Sequence, residues 1–437
     1  VKISHHKLKY TTYGGIKEMN LVFKEYIDFL KDNGCNYDLK EGYYWMNRQI
    51  IKAYDKDGNL HKILRVYTDD KLNTTFKYYD KEDFEIESWQ DTIKRKKEHL
   101  INMEAKSLEN IKNKMNEYKD YKPIIFTSGG KDSNLITYLV RKIRSDTSAL
   151  FNNTSLDCAD TYKYIKNMDN VKILNPREGF YQWRKRYNFV PTRFRRACCD
   201  VFKEGETINY LNDDEKYLIF MGMRKSESSH RKNYELQWKN TKWKDRDWQG
   251  ILPILEFTDE DVWLYTLWKN IDINDKYKKG YSRVGCAIAC PFYNKAIWSL
   301  DKYWYSSMYQ RWKEILKKDF IENKKWVNLN CTLEEYYGNW NGGLVRKEPS
   351  DEVINEFAEY NNLDIEIAKK YFNNKCNYEG CKKNVNKNDV IAMNLKFNGR
   401  GTNKIYCKKH LKEILNIDNK KWDEYIEQFK SNECELF

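Results

Sequence analysis

The chain has 437 residues, enough for two or three domains each with its own core. A third of it is charged (33%), no apolar run is long enough to cross a bilayer, and the opening Val1-Lys2-Ile3-Ser4-His5-His6 lacks a secretory pattern. These features argue against a membrane or secreted protein and lead to the expectation of a cytoplasmic one, in which 11 cysteines point to metal or catalysis more than to disulfides. The net charge of +13 suits a polyanionic partner, although the chain is rich in Lys, Asn, Ile and Tyr throughout, a bias that coding-DNA composition alone can produce.

In chain order, residues 1–88 read as a small α+β region. A helical stretch over Leu21–Leu30 is followed by a hairpin in which Ile50–Tyr54 and Ile63–Tyr67 flank the turn Asp55-Lys56-Asp57-Gly58-Asn59. Residues 89–119 are Lys/Glu-rich with sparse apolar positions, which predicts a long, solvated connecting helix. Residues 120–310 alternate short apolar strands with helical patterns, predicting an α/β domain with a parallel sheet. Residues 311–437 read as helical, with a cysteine-bearing insert at 373–412.

The most informative stretch is Phe126-Thr127-Ser128-Gly129-Gly130-Lys131-Asp132-Ser133. It follows the apolar run Ile124-Ile125 and precedes a helical pattern of Leu135, Ile136, Leu139, Val140 and Ile143. Strand, glycine turn and helix start make a phosphate cradle. Gly129 and Gly130 allow the backbone to approach an anion, Ser128 and Ser133 offer hydroxyls, and Lys131 adds a point charge. The G-x-x-x-x-G-K-[ST] spacing is absent, so this is not a Walker A motif. The loop resembles the PP-loop of the adenine-nucleotide α-hydrolase superfamily.

The resemblance extends along the α/β region. Leu150-Phe151-Asn152-Asn153-Thr154 is similar to the second strand of the phosphoadenosine phosphosulfate (PAPS) reductase family, whose edge approaches the nucleotide. Arg195-Arg196-Ala197-Cys198-Cys199 with Lys203 resembles that family's Arg-x-Cys-Cys segment. Gly222-Met223-Arg224-Lys225-Ser226-Glu227-Ser228 with Arg231 resembles its Gly-x-Arg-x-x-Glu-Ser-x-x-Arg element. Two further blocks, Thr258–Tyr265 and Tyr277–Pro291, follow in the family's order. The resemblance implies a PP-loop fold that binds an adenine nucleotide, ATP or PAPS, through Ser128, Gly129, Gly130, Lys131, Asp132, Ser133, Asn153, Thr154, Gly222 and Arg224.

The residue types allow α-phosphate chemistry. Loop amides, Lys131 and Arg224 can stabilise charge developing on the phosphate, with Arg231 as a further anion grip. Asp132 suits either a Mg²⁺ ligand or a cap of the following helix. Glu227 and Arg231, four apart, can also simply pair with each other. Trp263 and Tyr265 read as packing residues.

In the iron–sulfur members of the family, a Cys-Cys pair and a later Cys-x-x-Cys pair hold a [4Fe–4S] cluster. The resemblance implies that role for Cys198, Cys199, Cys286 and Cys290, with buried free cysteines as the alternative. Here Cys286-Ala287-Ile288-Ala289-Cys290 has three intervening residues where the family has two, so the extra residue is expected to bulge.

Outside the resemblance, Cys376-x4-Cys381 and Cys407-x2-His410 fit a Cys₃His Zn²⁺ site, with Val390–Leu395 and Lys404–Tyr406 as short strands between the pairs. Between Lys375 and Lys412 there are ten Lys/Arg against two acids, Glu379 and Asp389, which suits nucleic acid phosphates or a plain solvated surface. At the end of the chain, Glu433-Cys434 matches part of the reductases' catalytic Glu-Cys-Gly-x-His, but Glu435 and Phe437 replace the glycine and histidine. The tail then reads as a weak nucleophile site, a docking peptide ending in Leu436-Phe437, or disordered chain.

Three functions compete. The first is a PP-loop sulfurtransferase similar to the DNA-phosphorothioation and tRNA-thiolation enzymes. In it, ATP adenylates an oxygen and sulfur arrives from a donor protein through the iron–sulfur cluster, with nucleic acid as the candidate acceptor. The second is a reductase of PAPS or adenylyl sulfate that makes sulfite. The third is a non-catalytic nucleotide-binding module whose zinc insert recruits a partner. The intact Ser128–Ser133 loop and the basic insert favour the first.

Overall fold

The computed structural model describes residues 19–79, 84–188, 190–193, 196–238, 246–323 and 332–341, then 355, 365, 376–381, scattered positions from 383 to 397, and 405–431. The chain divides into two compact units. One comprises 17–316 with 337–343, and the other 1–16, 317–336 and 344–437.

The larger unit opens with an antiparallel sheet in sequential order: β1 (Met19–Leu21), β2 (Tyr44–Asn47), β3 (Ile50–Tyr54), β4 (Leu60–Thr68) and β5 (Thr74–Tyr78). The β3–β4 turn is held by Asp55, whose Oδ1 accepts from Asp57 N and Asn59 N, with Gly58 at φ +84°. Alternation turns Ile51, Ala53, Leu64 and Val66 inward, against Tyr26, Ile27, Phe29 and Leu30 of α1 (Lys24–Asp32). The helix starts later than the sequence suggests, because Leu21 pairs with Trp45 as strand.

Helix α2 (Trp89–Glu117) corrects the expectation of a solvated connector. Trp89, Ile93, Leu100, Glu104, Ser107 and Ile111 are buried, one narrow stripe along its 29 residues. Trp89, Ile93, Leu100 and Ile111 belong to the main core, and Ser107 Oγ donates to Pro253 O (3.0 Å). Sparse apolar residues suffice because they recur on one face, while the Lys and Glu between them face water.

The central sheet has six strands in the order β8 (Val171–Leu174), β7 (Ser148–Asn152), β6 (Lys122–Phe126), β9 (Tyr217–Phe220), β11 (Trp248–Ile251) and β10 (Gln237–Trp238). All neighbours are parallel except the edge pair β10–β11. The first strand, β6, is central. The chain builds outward through β7 and β8 and then returns to the other side of β6 with β9 and β11. The reversal of direction lies between β6 and β9, which opens the crevice where such sheets take their ligands. Helix α3 (Lys131–Ile143) leaves β6 and buries Leu135, Ile136, Leu139 and Val140. Helix α4 (Ala159–Lys166) follows β7, and α5 (Phe180–Arg186) follows β8. An irregular helical run then joins α6 (Ala197–Cys199), a π-turn over Asp200–Gly205 and α7 (Glu206–Tyr210). After β11 come α8 (Asp259–Trp268), α9 (Asp275–Lys278) and α10 (Lys295–Trp304). Trp263 and Tyr265 are fully buried in the core, as packing residues.

In the smaller unit, Val385, Val390, Met393, Leu411, Trp422 and Ile426 pack around Cys376 and Cys407. The helices Lys408–Leu415 and Asn419–Ser431 supply the last three. Of the expected strand at Val390–Leu395, the described residues Val390, Met393 and Asn394 are helical, as is Phe397, in keeping with their three-to-four spacing, and Asn394 Nδ2 donates to Val390 O. Ile405 and Tyr406 are irregular chain, tied to Asn377 and Asn394. Lys404, Cys434 and Leu436-Phe437 lie outside the described residues. No helix among the described residues is long and apolar enough to cross a membrane.

The packed stripe of α2 makes a prediction. Leu100→Ala should destabilise the larger unit by about 2–5 kcal/mol, the range for deleting a buried leucine. Urea denaturation followed by tryptophan fluorescence measures this. A loss within ~0.5 kcal/mol, the range of surface substitutions, would return α2 to a solvated connector.

Candidate functional site

The loop after β6 is a braced glycine turn. Gly129 has φ +69°, and a Cβ there would meet Ile165 Cδ1 at 3.1 Å, so both conformation and space require glycine. Gly130 caps α3 in extended geometry and has Tyr277 Oη against it (3.2 Å from a built Cβ). The Ser133 hydroxyl donates to Gly130 O (2.9 Å) and accepts from Ser128 N (3.2 Å), while Gly129 N donates to Thr127 Oγ1 (3.2 Å). Ser133 is thus a brace of the loop, whereas Ser128 is exposed at its mouth. Lys131 N donates to Tyr277 Oη (3.0 Å). The amides of Asp132 and Ser133 are among those that helix geometry leaves without an intrahelical acceptor, at the positive end of a 13-residue helix.

Beneath the loop is a buried ion cluster. Lys131 Nζ lies 3.0 Å from Asp132 Oδ2 and 3.0 Å from Asp259 Oδ1. Arg224, only 1% exposed, places NH2 2.6 Å from Asp259 Oδ1 and Nε 2.7 Å from Asp132 Oδ1. The second contact is an ion pair whose N–H is not aimed at the oxygen. NH1 donates to Ser226 Oγ (2.8 Å). Burial opposes charge on Lys131 and on Arg224, but Asp132 and Asp259 more than reverse this and both pKa values are raised. Burial likewise pushes Asp132 up, and Lys131 and Arg224 bring it down overall. The cluster closes because β9 can touch the loop: a Cβ on Gly222 would sit 2.7 Å from Asp132 C and 2.9 Å from Ser133 N.

The sequence-predicted residues therefore separate. Ser128, Gly129, Gly130, Lys131, Asp132, Ser133, Gly222 and Arg224 come together at the β6–β9 crevice. Both Asp132 oxygens face cations rather than open solvent, and Arg224 is buried beneath the loop. Arg231 forms an ion pair with Glu227, which also accepts from Arg224 N (3.1 Å). Asn153 donates to Asn175 Oδ1 (2.9 Å). Thr154, buried, donates to Asp157 Oδ2 (2.8 Å) and also bonds Cys286, so it belongs with the cysteines. Asp259 was missed as a site residue. It is the first residue of α8, whose capping box joins Thr258 to Asp261. The sequence assigns no role to Asp259-Glu260-Asp261 beyond the block Thr258–Tyr265, and only the tertiary fold sets one member against Lys131 and Arg224.

Cys198, Cys199, Cys286 and Cys290 converge, each partly accessible and none in a disulfide. Cys199, Cys286 and Cys290 are each close enough to Cys198 to influence its ionisation, Cys290 likewise neighbours Cys199 and Cys286, and Lys203 lies beside Cys199, Cys286 and Cys290, its Nζ 3.7 Å from a Cβ built on Gly285. Cys286 is the largest influence keeping Lys203 protonated. The Cys198 thiol donates to Cys199, which raises the first and lowers the second to about 6, with Lys203 and Arg196 helping. The third spacer residue does not bulge into solvent. Ile288, 1% exposed, takes φ +60° in a γ-turn closed by Ala289 N donating to Ala287 O (2.6 Å). A β-branched residue is strained there. Ala287 N on Leu156 O (2.8 Å) and the Ile288 amide on the buried Asp301 carboxylate hold it. Four thiols around a fixed cation fit a cluster with four thiolate ligands, whose charge Lys203 offsets.

Cys376, Cys381, Cys407 and His410 form a separate group in the smaller unit, with all ligand atoms within 4.8 Å of one another. His410 Nδ1 lies 3.2 Å from Cys376 Sγ and 3.4 Å from Cys407 Sγ, and the Cys381 and Cys407 sulfurs are 3.9 Å apart. Cys407 N donates to Cys376 Sγ (3.2 Å), and Tyr378 stacks on His410 (4.0 Å). Three sulfurs and one imidazole at this spacing could hold a metal ion.

Residues 122–291 match the phosphoadenosine phosphosulfate reductase domain. Adenosine 5′-phosphosulfate reductase 1 of Bacillus subtilis is 23% identical over 175 residues, covering 37% of this chain and 70% of that protein. An uncharacterised protein of Methanocaldococcus jannaschii is 28% identical over 244 residues, 54% of this chain and 58% of its own length. The chain spans a little over half the length of that relative. Among solved structures, the phosphoadenylyl-sulfate reductase of Candida auris in a phosphate complex aligns at TM-score 0.35 and 14% identity, over 43% of this chain and 94% of that one.

Two predictions follow from these geometries. Asp259→Ala leaves Lys131 and Arg224 buried with one carboxylate between them, and should cost about 3–5 kcal/mol, as breaking a buried ion pair does. Thermal unfolding of the variant measures it, and an unchanged melting temperature would mean that Asp259 is dispensable to the cluster. Cys381→Ser should abolish bound metal in the smaller unit and expose it to protease, since structural metal supplies roughly 10 kcal/mol or more of folding free energy in small domains. Metal analysis with limited proteolysis tests this, and full metal content with unchanged protease resistance would refute it.

Proposed function

We propose that the core domain binds an adenine nucleotide, ATP, at Ser128–Ser133 and performs α-phosphate chemistry in a sulfur-transfer enzyme. The observation that carries the reading is the glycine turn into the N-terminus of α3 at the strand-order reversal, with Ser128 exposed at its mouth, Gly129 in the left-handed region and the loop braced by Ser133. Backbone amides there would receive the phosphates. The N-terminus of α3 would supply the positive potential, since Asp132 and Asp259 balance the charges of Lys131 and Arg224 and hold them in place. Asp132 then acts as an anchor of the cations, which makes a Mg²⁺-ligand role conditional on its leaving that cluster. Attack of an acceptor oxygen on the α-phosphate would release pyrophosphate and leave an adenylylated oxygen. The terminal sulfur of a donor protein's persulfide would then displace AMP, and a second donor thiol would open the resulting mixed disulfide, forming a disulfide on the donor and leaving the sulfur on the acceptor. Nucleic acid is the acceptor that the basic insert favours.

Cys198, Cys199, Cys286 and Cys290 would hold a [4Fe–4S] cluster, which when bound supplies soft-metal sulfur chemistry next to the nucleotide domain. Lys203 balances thiolate charge there, and Asp301 fixes the turn at Ile288. Cys376, Cys381, Cys407 and His410 would hold a structural Zn²⁺.

Reduction of adenylyl sulfate to sulfite is the second reading, favoured by the reductase names among the relatives of residues 122–291. The replacement of the reductases' glycine and histidine by Glu435 and Phe437 beside Cys434 weighs against it.

Calorimetry tests the nucleotide site. Lys131→Ala with Ser133→Ala should weaken ATP binding at least tenfold, because the first leaves an excess carboxylate charge under the loop and the second removes the hydroxyl that braces it. Lys131 belongs to the ion cluster, so Ser128→Tyr provides a second route. It blocks the mouth of the loop without touching the cluster and should also abolish binding. Unchanged affinity in Ser128→Tyr would refute the site.

A further inference from the structure

The open face of the N-terminal sheet carries four cations in cross-strand register. Ile51, Ala53, Leu64 and Val66 point into the core, so the opposite alternation puts Lys52, Lys62, Arg65 and Lys77 on the other face. The register sets Lys52 opposite Lys62 and Arg65 opposite Lys77. Like charges directly opposite each other destabilise a sheet. Among the described residues none of the four has a carboxylate within ion-pair distance. Other surface lysines of this unit do: Lys24 with Asp28, Lys94 with Asp91, Lys114 with Glu117, and Lys278 with Asp275. A general excess of lysine in the sequence accounts for neither the register nor the lack of acids here.

Two tyrosines share the face. The Arg65 guanidinium lies over the Tyr67 ring (5.1 Å), and Tyr67 is 41% exposed. Tyr79 has Lys62 Nζ at 5.7 Å and Lys77 Nζ at 5.9 Å from its ring centre. Cations that neutralise phosphates beside rings that accept an unstacked base are the combination used for single strands. A duplex keeps its bases stacked and leaves such rings unused, and an anionic lipid surface needs only the charge.

We propose that this face of the sheet, Lys52, Lys62, Arg65 and Lys77 with Tyr67 and Tyr79, is a binding surface for single-stranded nucleic acid. The surface rests on the sheet alone, not on the reading of the nucleotide loop, and binding is measured without ATP so that the two fail separately.

The test is fluorescence anisotropy of the full chain with a labelled oligothymidylate of about 16 nucleotides, the upper site size of comparable folds. A duplex of equal length and phosphatidylserine vesicles serve as comparisons. Lys62→Gln with Lys77→Gln should weaken single-strand binding at least tenfold and reduce the salt slope by about 1.4, two contacts at ~0.7 each. Arg65→Gln alone should reduce the slope by about 0.7. Tyr67→Ala with Tyr79→Ala should weaken binding several-fold while leaving the slope unchanged. Lys24→Gln with Lys94→Gln, which neutralises two paired lysines elsewhere, should change nothing. Circular dichroism of each variant reports the fold, and the single Arg65 variant carries the prediction if the double variant is perturbed. Unchanged affinity and slope in both the Lys62/Lys77 and Arg65 variants would overturn the proposal. Equal binding of duplex or vesicles together with a silent tyrosine variant would also overturn it, leaving a generic polyanion surface.

Discussion

Everything at the crevice depends on burying two cations with two anions. Lys131, Asp132, Arg224 and Asp259 come from the loop, the end of β9 and the first turn of α8, and each would be costly in that position without the others. The cluster fastens three elements that are far apart in sequence to one another. Two cations against two carboxylates leave it without net charge, so the positive end at the loop is that of α3 itself. The carboxylates keep the two cations charged and fixed. The absence of a side chain at Gly222 is what lets β9 approach closely enough for the cluster to close.

The cysteine set relies on a different device. Three residues between Cys286 and Cys290 are one more than the family pattern, and the chain takes up the excess by turning Ile288 into a left-handed γ-turn instead of extending the loop. That conformation is unfavourable for a branched side chain, and it is held by burial, by the Leu156 carbonyl and by Asp301. Strain concentrated between two candidate ligands, with Lys203 close to Cys199, Cys286 and Cys290, is the pattern of a site whose geometry is imposed by the surrounding fold.

Much of this was legible in the sequence wherever a signal was local. The strand–glycine–helix pattern placed β6 and α3, the period-two alternation placed β3 and β4, and the two cysteine pairs of the Cys₃His group were readable from spacing. What escaped was tertiary. Helix α2 looked solvated because its apolar residues are few, and only their shared face shows that Trp89, Ile93, Leu100 and Ile111 are core. Asp259 carried no signal beyond its place in the block Thr258–Tyr265. Ser133 and Thr154 looked like ligand contacts but brace the loop and touch the cysteine set, respectively. The insert around Val390–Leu395 looked extended because β-branched and apolar residues alternate briefly there, while the contacts it makes follow helical spacing.

The central claim is that the braced loop handles ATP for chemistry at its α-phosphate. Anaerobic incubation of the purified, iron-loaded protein with ATP and a persulfide donor, and separately with adenylyl sulfate or PAPS, measures this most directly. The account predicts AMP and pyrophosphate from ATP when acceptor nucleic acid is present, and no sulfite from either sulfonucleotide. Sulfite release from adenylyl sulfate or PAPS, with ATP left intact, would contradict it and make the protein a reductase.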